Sequence, residues 1–446
     1  MDLDRHIAQR LEASLPAGAA ICVGLSGGLD SVVLLDLLAR VGPARGHVLS
    51  AVHVHHGLSA NADAWAASCK KLCDERSIPL SVERVTVPRP APEGVEGAAR
   101  AARYAVYSAR PEPVVALAHH LDDQAETLLL QLLRGTGLGG LAGMPELRAL
   151  APRRVALFRP LLDVPRAALH AYALGRGLAW VEDESNASLR HDRNFVRHEI
   201  APLLDRRFAG WREAAARCAR HAGCASELLV ELAQRDGAPA GAGEGLVLAP
   251  ELPPARRANA LRAFLALEGL AMPSEARLAE IARQLYDARP DARVRILHDG
   301  ATLVRQRGVA RAVTARSRAP SGPWSVAWRG EALVDLGPGH GSVRFDATTG
   351  NGLRGDAAAE PGWHFAPRRG GERMRLDPAR PSRTLKNLLQ EAAVPEWERE
   401  RLPLLFCGER LAWVPGIGVA AEFACPPGHA GLAPEWSPRA KTAFPD

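Results

Sequence analysis

The eighteen residues Ile21–Leu38, Ile-Cys-Val-Gly-Leu-Ser-Gly-Gly-Leu-Asp-Ser-Val-Val-Leu-Leu-Asp-Leu-Leu, limit the folds open to this chain more than any other stretch. They read as a short apolar strand, a turn and an apolar helix. The turn is Ser26-Gly27-Gly28-Leu29-Asp30-Ser31. Two adjacent glycines free the backbone for positive φ and leave room for a ligand to approach without meeting a Cβ. The helix behind them points unpaired N–H groups and its positive dipole end at the same place. Such a turn is an anion site, with phosphate its usual occupant. Ser26 and Ser31 add hydroxyl donors. Asp30 would repel a phosphate unless a divalent cation lay between them. The turn lacks the lysine of G-x-x-x-x-G-K-[ST], and its glycines do not fit G-x-G-x-x-G.

Strand and helix patterns alternate from there on. Strands are expected at Val48–His55, Leu80–Val87, Pro113–His120 and Ala156–Leu161. Helices are expected over 2–15, 31–41, 61–77, 93–110, 121–134 and 165–175. This alternation predicts an α/β fold with a doubly wound parallel sheet, whose ligands sit at the carboxyl ends of the strands. His53, at the end of the second strand, then lines a nucleotide pocket; a zinc site at His53 and His55 lacks a fourth ligand nearby. The fourth strand leads into His119-His-Leu-Asp-Asp-Gln-Ala-Glu126. There Asp122, Asp123 and Glu126 share a helix face, placed to bind magnesium or a substrate amine. Gly135–Met144 is a glycine-rich loop beside them. Residues 182–200, with Asp183, Asn186, Arg193, Asn194 and Arg197, are expected at the site's edge.

The remainder of the chain reads as two smaller domains. The expected boundaries are 1–202 for the catalytic domain, 203–320 for a mainly helical domain and 321–446 for a C-terminal α+β domain. A continuous helix is expected over 203–230, bearing Arg206 and Arg207. Arg368, Arg369, Arg373, Arg375, Arg383 and Lys386 form a basic cluster without catalytic company, suited to a polyanion. The net charge of +6 agrees with a nucleic-acid partner. Only four of the 56 basic side chains are lysines, a bias that genome composition explains as readily as phosphate recognition does. Seven scattered cysteines fit reduced thiols. No apolar run reaches membrane-spanning length, and Met1-Asp-Leu-Asp-Arg is not a signal peptide, so a cytoplasmic protein is expected.

The Ser-Gly-Gly-x-Asp-Ser turn resembles the pyrophosphate loop of the N-type ATP pyrophosphatases. Four further segments narrow the resemblance: His53-x-His-His-Gly-Leu-Ser59, Ala118-His-His-Leu-Asp-Asp-Gln-Ala-Glu-Thr127, Arg134-Gly-Thr-Gly and Arg193-Asn-Phe-Val-Arg197. Arg369-Gly-Gly-Glu-Arg373, Leu385-Lys-Asn-Leu-Leu-Gln-Glu391 and Trp413-Val-Pro-Gly-Ile-Gly418 extend it to the tail. Together they resemble the tRNA(Ile)-lysidine synthetases over nearly the whole chain. Two rival families with this loop fit less well. Residue 2 is Asp2, with no Gly-x-Cys-x-Gly for a glutamine-using synthetase, and Cys69 and Cys73 are not the Cys-x-x-Cys pair of a cytidine thiolase. A non-catalytic tRNA-binding relic is opposed by the intact loop and acidic helix.

The resemblance implies an adenine nucleotide alpha hydrolase-like fold and a two-step reaction. ATP adenylates cytidine 34 of a minor tRNA(Ile) with anticodon CAU, and free lysine then displaces AMP. It implies ATP and Mg2+ as co-substrate and cofactor, no membrane and no obligate protein partner, a homodimer being left open. Ser26, Gly27, Gly28, Leu29, Asp30, Ser31 and His53 would bind ATP, with Asp30 and Asp123 on the metal. Asp30, His119, Asp122, Asp123 and Glu126 would carry the chemistry. Arg100, Arg103, Arg134, Arg193, Asn194 and Arg197 would contact phosphates or the lysine carboxylate. Arg206, Arg207, Arg368, Arg369, Arg373, Arg383 and Lys386 would contact the tRNA.

Overall fold

The computed structural model describes residues 1–88, 94–150, 155–182, 191–241, 243–289, 292, 294–313, 323–392, 394 and 396–437. The chain forms two compact units, Met1–Leu229 and Val230–Asp446.

The first unit opens with α1 (Leu3–Ser14), capped by the Asp2 side chain, followed by β1 (Ala20–Gly24) and α2 (Leu29–Val41). Next come β2 (Val48–His55), α3 (Ala62–Asp74), β3 (Leu80–Arg84), α4 (Gly94–Ser108) and β4 (Val114–Ala116). Then follow α5 (Leu121–Leu133), α6 (Leu138–Leu141), β5 (Leu147–Leu150), β6 (Val155–Phe158) and α7 (Arg166–Gly175). The strands form one sheet in the order β3-β2-β1-β4-β6-β5. All neighbours are parallel except β5, which returns antiparallel to β6. That edge strand was not expected from the sequence. Its residues are mostly exposed, so no apolar alternation marks it.

Helices cover both faces of the sheet. α2 is apolar nearly all round and accordingly buried all round, in one core with α1, α3 and α7. Its one deeply buried charge, Asp36, accepts from Arg76 Nη2 at 3.0 Å and from the Tyr172 hydroxyl at 2.9 Å. The opposite face packs Tyr107 of α4 against Cys22, Val52, Val115 and Leu157. Strand order reverses at β1, between β2 and β4. Both segments singled out from the sequence therefore leave from adjoining strand ends: residues 25–31 from β1 and residues 117–126 from β4.

Past α7, α8 (Asp192–Phe195) runs through a single π turn (Val196–Ile200) into α9 (Ala201–Arg207) and α10 (Trp211–Arg235). The continuous helix expected over 203–230 is thus broken. Phe208 leaves helical geometry and Gly210 takes φ +72°, after which α10 continues past the expected end.

In the second unit, β7 (Leu246–Val247), α11 (Pro254–Leu267) and α12 (Glu275–Tyr286) precede β8 (Arg295–His298), β9 (Ala301–Gln306) and β10 (Val309–Val313). These strands form an antiparallel sheet ordered β7-β10-β9-β8 that shares a core with the two helices. In this part of the chain, expected to be mainly helical, α11 and α12 outweigh the short strands they pack on. The strands 326–327, 333–335, 342–349 and 353–354 are β11 to β14, and Trp363–Ala366 is β15. Arg373–Met374 (β16) pairs with Arg383–Thr384 (β17), followed by α13 (Leu385–Glu391). Leu404–Cys407, Arg410–Val414, Gly418–Val419 and Ala430–Ser437 are β18 to β21. Two sheets, β11-β15-β18-β19-β20 and β12-β13-β21-β14, pack an aromatic core in which Trp328 stacks on Phe345 at 4.3 Å.

Candidate active site

The phosphate turn is held open by its own polar groups. Ser31 Oγ donates to Gly28 O at 2.9 Å and accepts from Ser26 N at 3.2 Å. Gly28 N donates to Ser26 Oγ at 3.3 Å. Gly27 has φ +88°, and a Cβ there would lie 3.0 Å from Val181 Cγ2 and 3.1 Å from Cys69 Sγ. Gly28 caps α2 without a side chain, so the first turn of the helix faces outward through backbone N–H groups. Behind the turn, buried His53 donates from Nδ1 to Leu25 O at 2.9 Å, and burial lowers its pKa. His53 thus supports the turn from below.

The acidic segment is organised by His120. Its Nδ1 caps α5 by accepting from Asp123 N at 3.4 Å, while His120 N donates to Asp123 Oδ2 at 3.1 Å. Nε2 then faces Asp30 Oδ2 at 3.6 Å and Asp123 Oδ2 at 3.4 Å, joining the phosphate turn to the acidic helix. Burial opposes a charge on His120, but the hydrogen bond with Asp30 and the charges of Asp123, Asp30 and Asp122 outweigh it and raise the pKa. His120 was not among the expected site residues. The available signal was its position as the last residue before the helix, where a side-chain acceptor is wanted. Its neighbour His119 is the opposite case: burial pushes its pKa down to about 3, and Nδ1 is buried without a hydrogen-bond partner.

Four arginines face the carboxylates. Glu126, 3% exposed, accepts from Arg193 Nε at 2.9 Å and from Arg197 Nε and Nη2 at 2.7 and 2.9 Å. Arg193 also donates to Asp123 O and Thr127 Oγ1, and Arg197 Nη2 reaches Asp123 Oδ1 at 3.0 Å. Burial works against the Arg197 charge, yet Glu126 and Asp123 raise its pKa. The two arginines are one helical turn apart, Arg193 in α8 and Arg197 within the π turn, an irregularity common at functional sites. Asp122 accepts from Arg166 N at 2.8 Å and pairs with Arg212 Nε at 2.8 Å. A cleft of about 190 Å³ opens here, lined by Asp122, Glu126, Arg166, Arg197, Ala201, Trp211 and Arg212. Arg166, Trp211 and Arg212 were not predicted, because long-range helix contacts carry no local motif. Asp30 Oδ1 is buried and makes no hydrogen bond, and Arg166 Nε stands 3.8 Å away. Among the described residues, no group of three or more His, Cys, Asp or Glu side chains has metal-site geometry.

The other expected residues fall outside this cluster. Arg100 stacks on Tyr104 and donates to its hydroxyl at 3.0 Å, Arg103 contacts His56, and Arg134 pairs with Asp192 at the surface. Asn194 is buried beside the two clamping arginines. Asp183 and Asn186 lie outside the described residues. Arg206 and Arg207 are exposed on α9. In the second unit the β16–β17 pairing places Met374 opposite Arg383 and Arg373 opposite Thr384, gathering the basic tail cluster at one hairpin. Arg383 is tied to Glu391 and Arg368 lies 3.5 Å from Glu372, while Arg369 and Lys386 are exposed.

The sequence matches three family models: a PP-loop domain over residues 2–204, a TilS substrate binding domain over 250–310 and a TilS substrate C-terminal domain over 364–436. It is 42% identical over 433 residues to the tRNA(Ile)-lysidine synthase of Nitrosomonas europaea, covering 96% of this chain and 94% of that one. The chain belongs to the tRNA(Ile)-lysidine synthase family. The synthase of Azoarcus sp. is 43% identical, covering 96% of this chain and 93% of its own. That of Chromobacterium violaceum is 45% identical, covering 93% and 95%. The family is one of ligases that form a C–N bond, built on an ATP-binding PP-loop domain. In the described residues no helix is long and apolar enough to cross a membrane.

Proposed function

We propose that the chain joins free L-lysine to C2 of cytidine 34 in the CAU anticodon of a tRNA(Ile), using ATP. The observation that carries this reading is the junction at His120, where the phosphate turn after β1 and the acidic helix after β4 meet through Asp30 and Asp123. A nucleotide held by one segment is thereby within reach of an amine held by the other. In the first step the cytosine O2 attacks the α-phosphorus and pyrophosphate leaves. In the second the lysine ε-nitrogen attacks C2, and AMP leaves with that oxygen. The lysidine formed pairs with adenine, so decoding moves from AUG to AUA.

The backbone N–H groups of Gly27–Ser31 and the Ser26 and Ser31 hydroxyls bind the leaving pyrophosphate at the α2 N-terminus. Asp30, whose buried Oδ1 has no hydrogen-bond partner, would hold Mg2+ with Asp123 as its neighbour. One or two carboxylates plus substrate phosphates are what that ion ordinarily takes. Bound there, the ion would neutralise phosphate charge. The amino acid's ammonium is received by Asp122, Asp123 and Glu126. An ammonium must lose a proton before it attacks, and Asp122 or Asp123 is the acceptor. His119, held near 3 by burial, is too weakly basic to lead and serves as a hydrogen-bonding wall. Extrusion of the base from the anticodon loop costs about a few kcal/mol. Arg206 and Arg207, with the β16–β17 cluster, contribute phosphate contacts. The test is pyrophosphate release from ATP with a CAU transcript, with and without Asp30→Asn. Release by the unsubstituted enzyme and its loss in the variant are expected. Equal release by both would remove Asp30 from the reaction.

A further inference from the structure

Arg159 follows β6 at the sheet's carboxyl edge, and it is 1% exposed. Its strand pairs with β4, Ala116 beside Phe158, and Leu117 N donates to Phe158 O at 2.8 Å. Arg159 therefore emerges next to the segment that carries His119 and His120. Its Nη1 donates to Pro145 O at 2.8 Å, while Nε is buried with no hydrogen-bond partner. Among the described residues the groups that act most on it are Tyr104, which also hydrogen-bonds with it, and the like charges of Arg148 and Arg100. Burial weighs against its charge first of all, which lowers its pKa, yet an arginine stays protonated in a protein. Other enclosed arginines of this unit are treated differently. Arg76 meets Asp36 at 3.0 Å and Arg110 meets Glu112 at 3.0 Å, although both are more exposed than Arg159.

A buried cation without a counter-charge is costly. The second orphan lies alongside: His119, whose Nδ1 is buried and unpartnered, has Arg159 and Asp123 among the charges acting on it. Arg100 adds a further positive group near both. At the carboxyl end of β4 and β6, among the described residues, neither Arg159 nor Arg100 is paired with a carboxylate, and the site they adjoin takes anionic reactants. The two stand apart from the four arginines already neutralised by Asp122, Asp123 and Glu126.

We propose that Arg159 is a substrate-binding residue whose guanidinium receives an anionic group of a reactant, either the carboxylate of the amino acid or a phosphate of the nucleotide. The inference rests on the reaction proposed above. Arg159→Met removes the charge, and Arg159→Lys keeps it without the planar fork. Steady-state constants are measured on the full chain with a CAU transcript, for ATP, for lysine and for 1,5-diaminopentane, which is lysine without its carboxylate. A lost charge-assisted contact raises the relevant KM about 10- to 100-fold, with partial rescue in the lysine variant. If the carboxylate is the ligand, the KM for lysine rises, that for ATP holds, and the preference for lysine over the diamine collapses. If phosphate is the ligand, the KM for ATP rises and the preference persists. Either result supports the proposal. Unchanged KM values for lysine and ATP in both variants, with only a lower thermal midpoint, would show a structural peg on Pro145 and overturn it. Failure of the unsubstituted enzyme to incorporate lysine would instead overturn the reaction itself, and this inference with it.

Discussion

Replacing Glu126 with glutamine removes one charge from the arginine clamp while nearly conserving shape. Glu126 is 3% exposed and accepts three charge-assisted hydrogen bonds from Arg193 and Arg197. The amide keeps one acceptor oxygen and turns an NH2 toward guanidinium donors. Removing one partner of a fully buried ion pair costs about 3–5 kcal/mol. The arginine side chains are 27% and 29% exposed, so water recovers part of that, and about 2–3 kcal/mol is expected. Arg197→Met leaves Glu126 one arginine and is expected to cost about 1.5–3 kcal/mol. The pair shares hydrogen bonds, so the double variant should depart from additivity by about 1 kcal/mol or more. Urea unfolding followed by far-ultraviolet circular dichroism measures all four proteins. A loss below about 0.5 kcal/mol in Glu126→Gln, the range of ordinary surface changes, would refute the claim that the clamp holds α8 to α5.

Three further outcomes are expected. Gly27→Ala forces a Cβ onto φ +88° and against Val181 and Cys69, at a cost of about 1–2 kcal/mol and with a raised KM for ATP. Gly28→Ala, whose nearest contact would be Ser26 Oγ at 3.5 Å, should keep its thermal midpoint, and equal damage from both would contradict the reasoning. His6 donates a hydrogen bond to Asp163, which raises the His6 pKa; burial opposes the Asp163 charge, but His6 and Arg10 hold its pKa at about 2. The His6 contribution is full below about pH 6.5 and fades as pH climbs through the higher folded value, whereas that of Asp163 is full above about pH 3.9 and fades toward about pH 2. The midpoint gap between the unsubstituted protein and His6→Gln should therefore be wider at about pH 5.5 than at about pH 8.5, and a constant gap would refute the charged pair. Each of Arg206→Ala and Arg207→Ala should reduce the slope of log affinity for tRNA against log salt by about 0.7–0.9 if it removes one phosphate contact, while an unchanged slope would place that side chain off the RNA.

The parts legible in the sequence are those whose function is local. Ser26–Ser31 must be contiguous to cradle a phosphate, and Asp122, Asp123 and Glu126 share a helix face by spacing alone. The alternation of strands and helices sufficed for the parallel sheet because buried parallel strands are continuously apolar. What escaped was set by distant partners. Arg166, Arg193, Arg197 and Arg212 come from three separate helices, and only the middle two sit in a motif. His120 carries no local signature beyond its place before α5, and its role depends on Asp30, ninety residues away in sequence. β5 is an exposed edge strand and has no core face to advertise. The helix break at Phe208–Gly210 hung on one glycine that a helix would tolerate at a cost of about 1 kcal/mol.

The central claim is that one site joins a nucleotide-activated cytidine to an amino acid. The measurement that tests it most directly is incorporation of labelled lysine into a CAU tRNA(Ile) transcript beside its C34U counterpart, with ATP present. Incorporation into the first and none into the second is predicted. Equal labelling of both, or none in either while ATP is still cleaved, would contradict the assignment of cytidine 34 and lysine as the reacting pair.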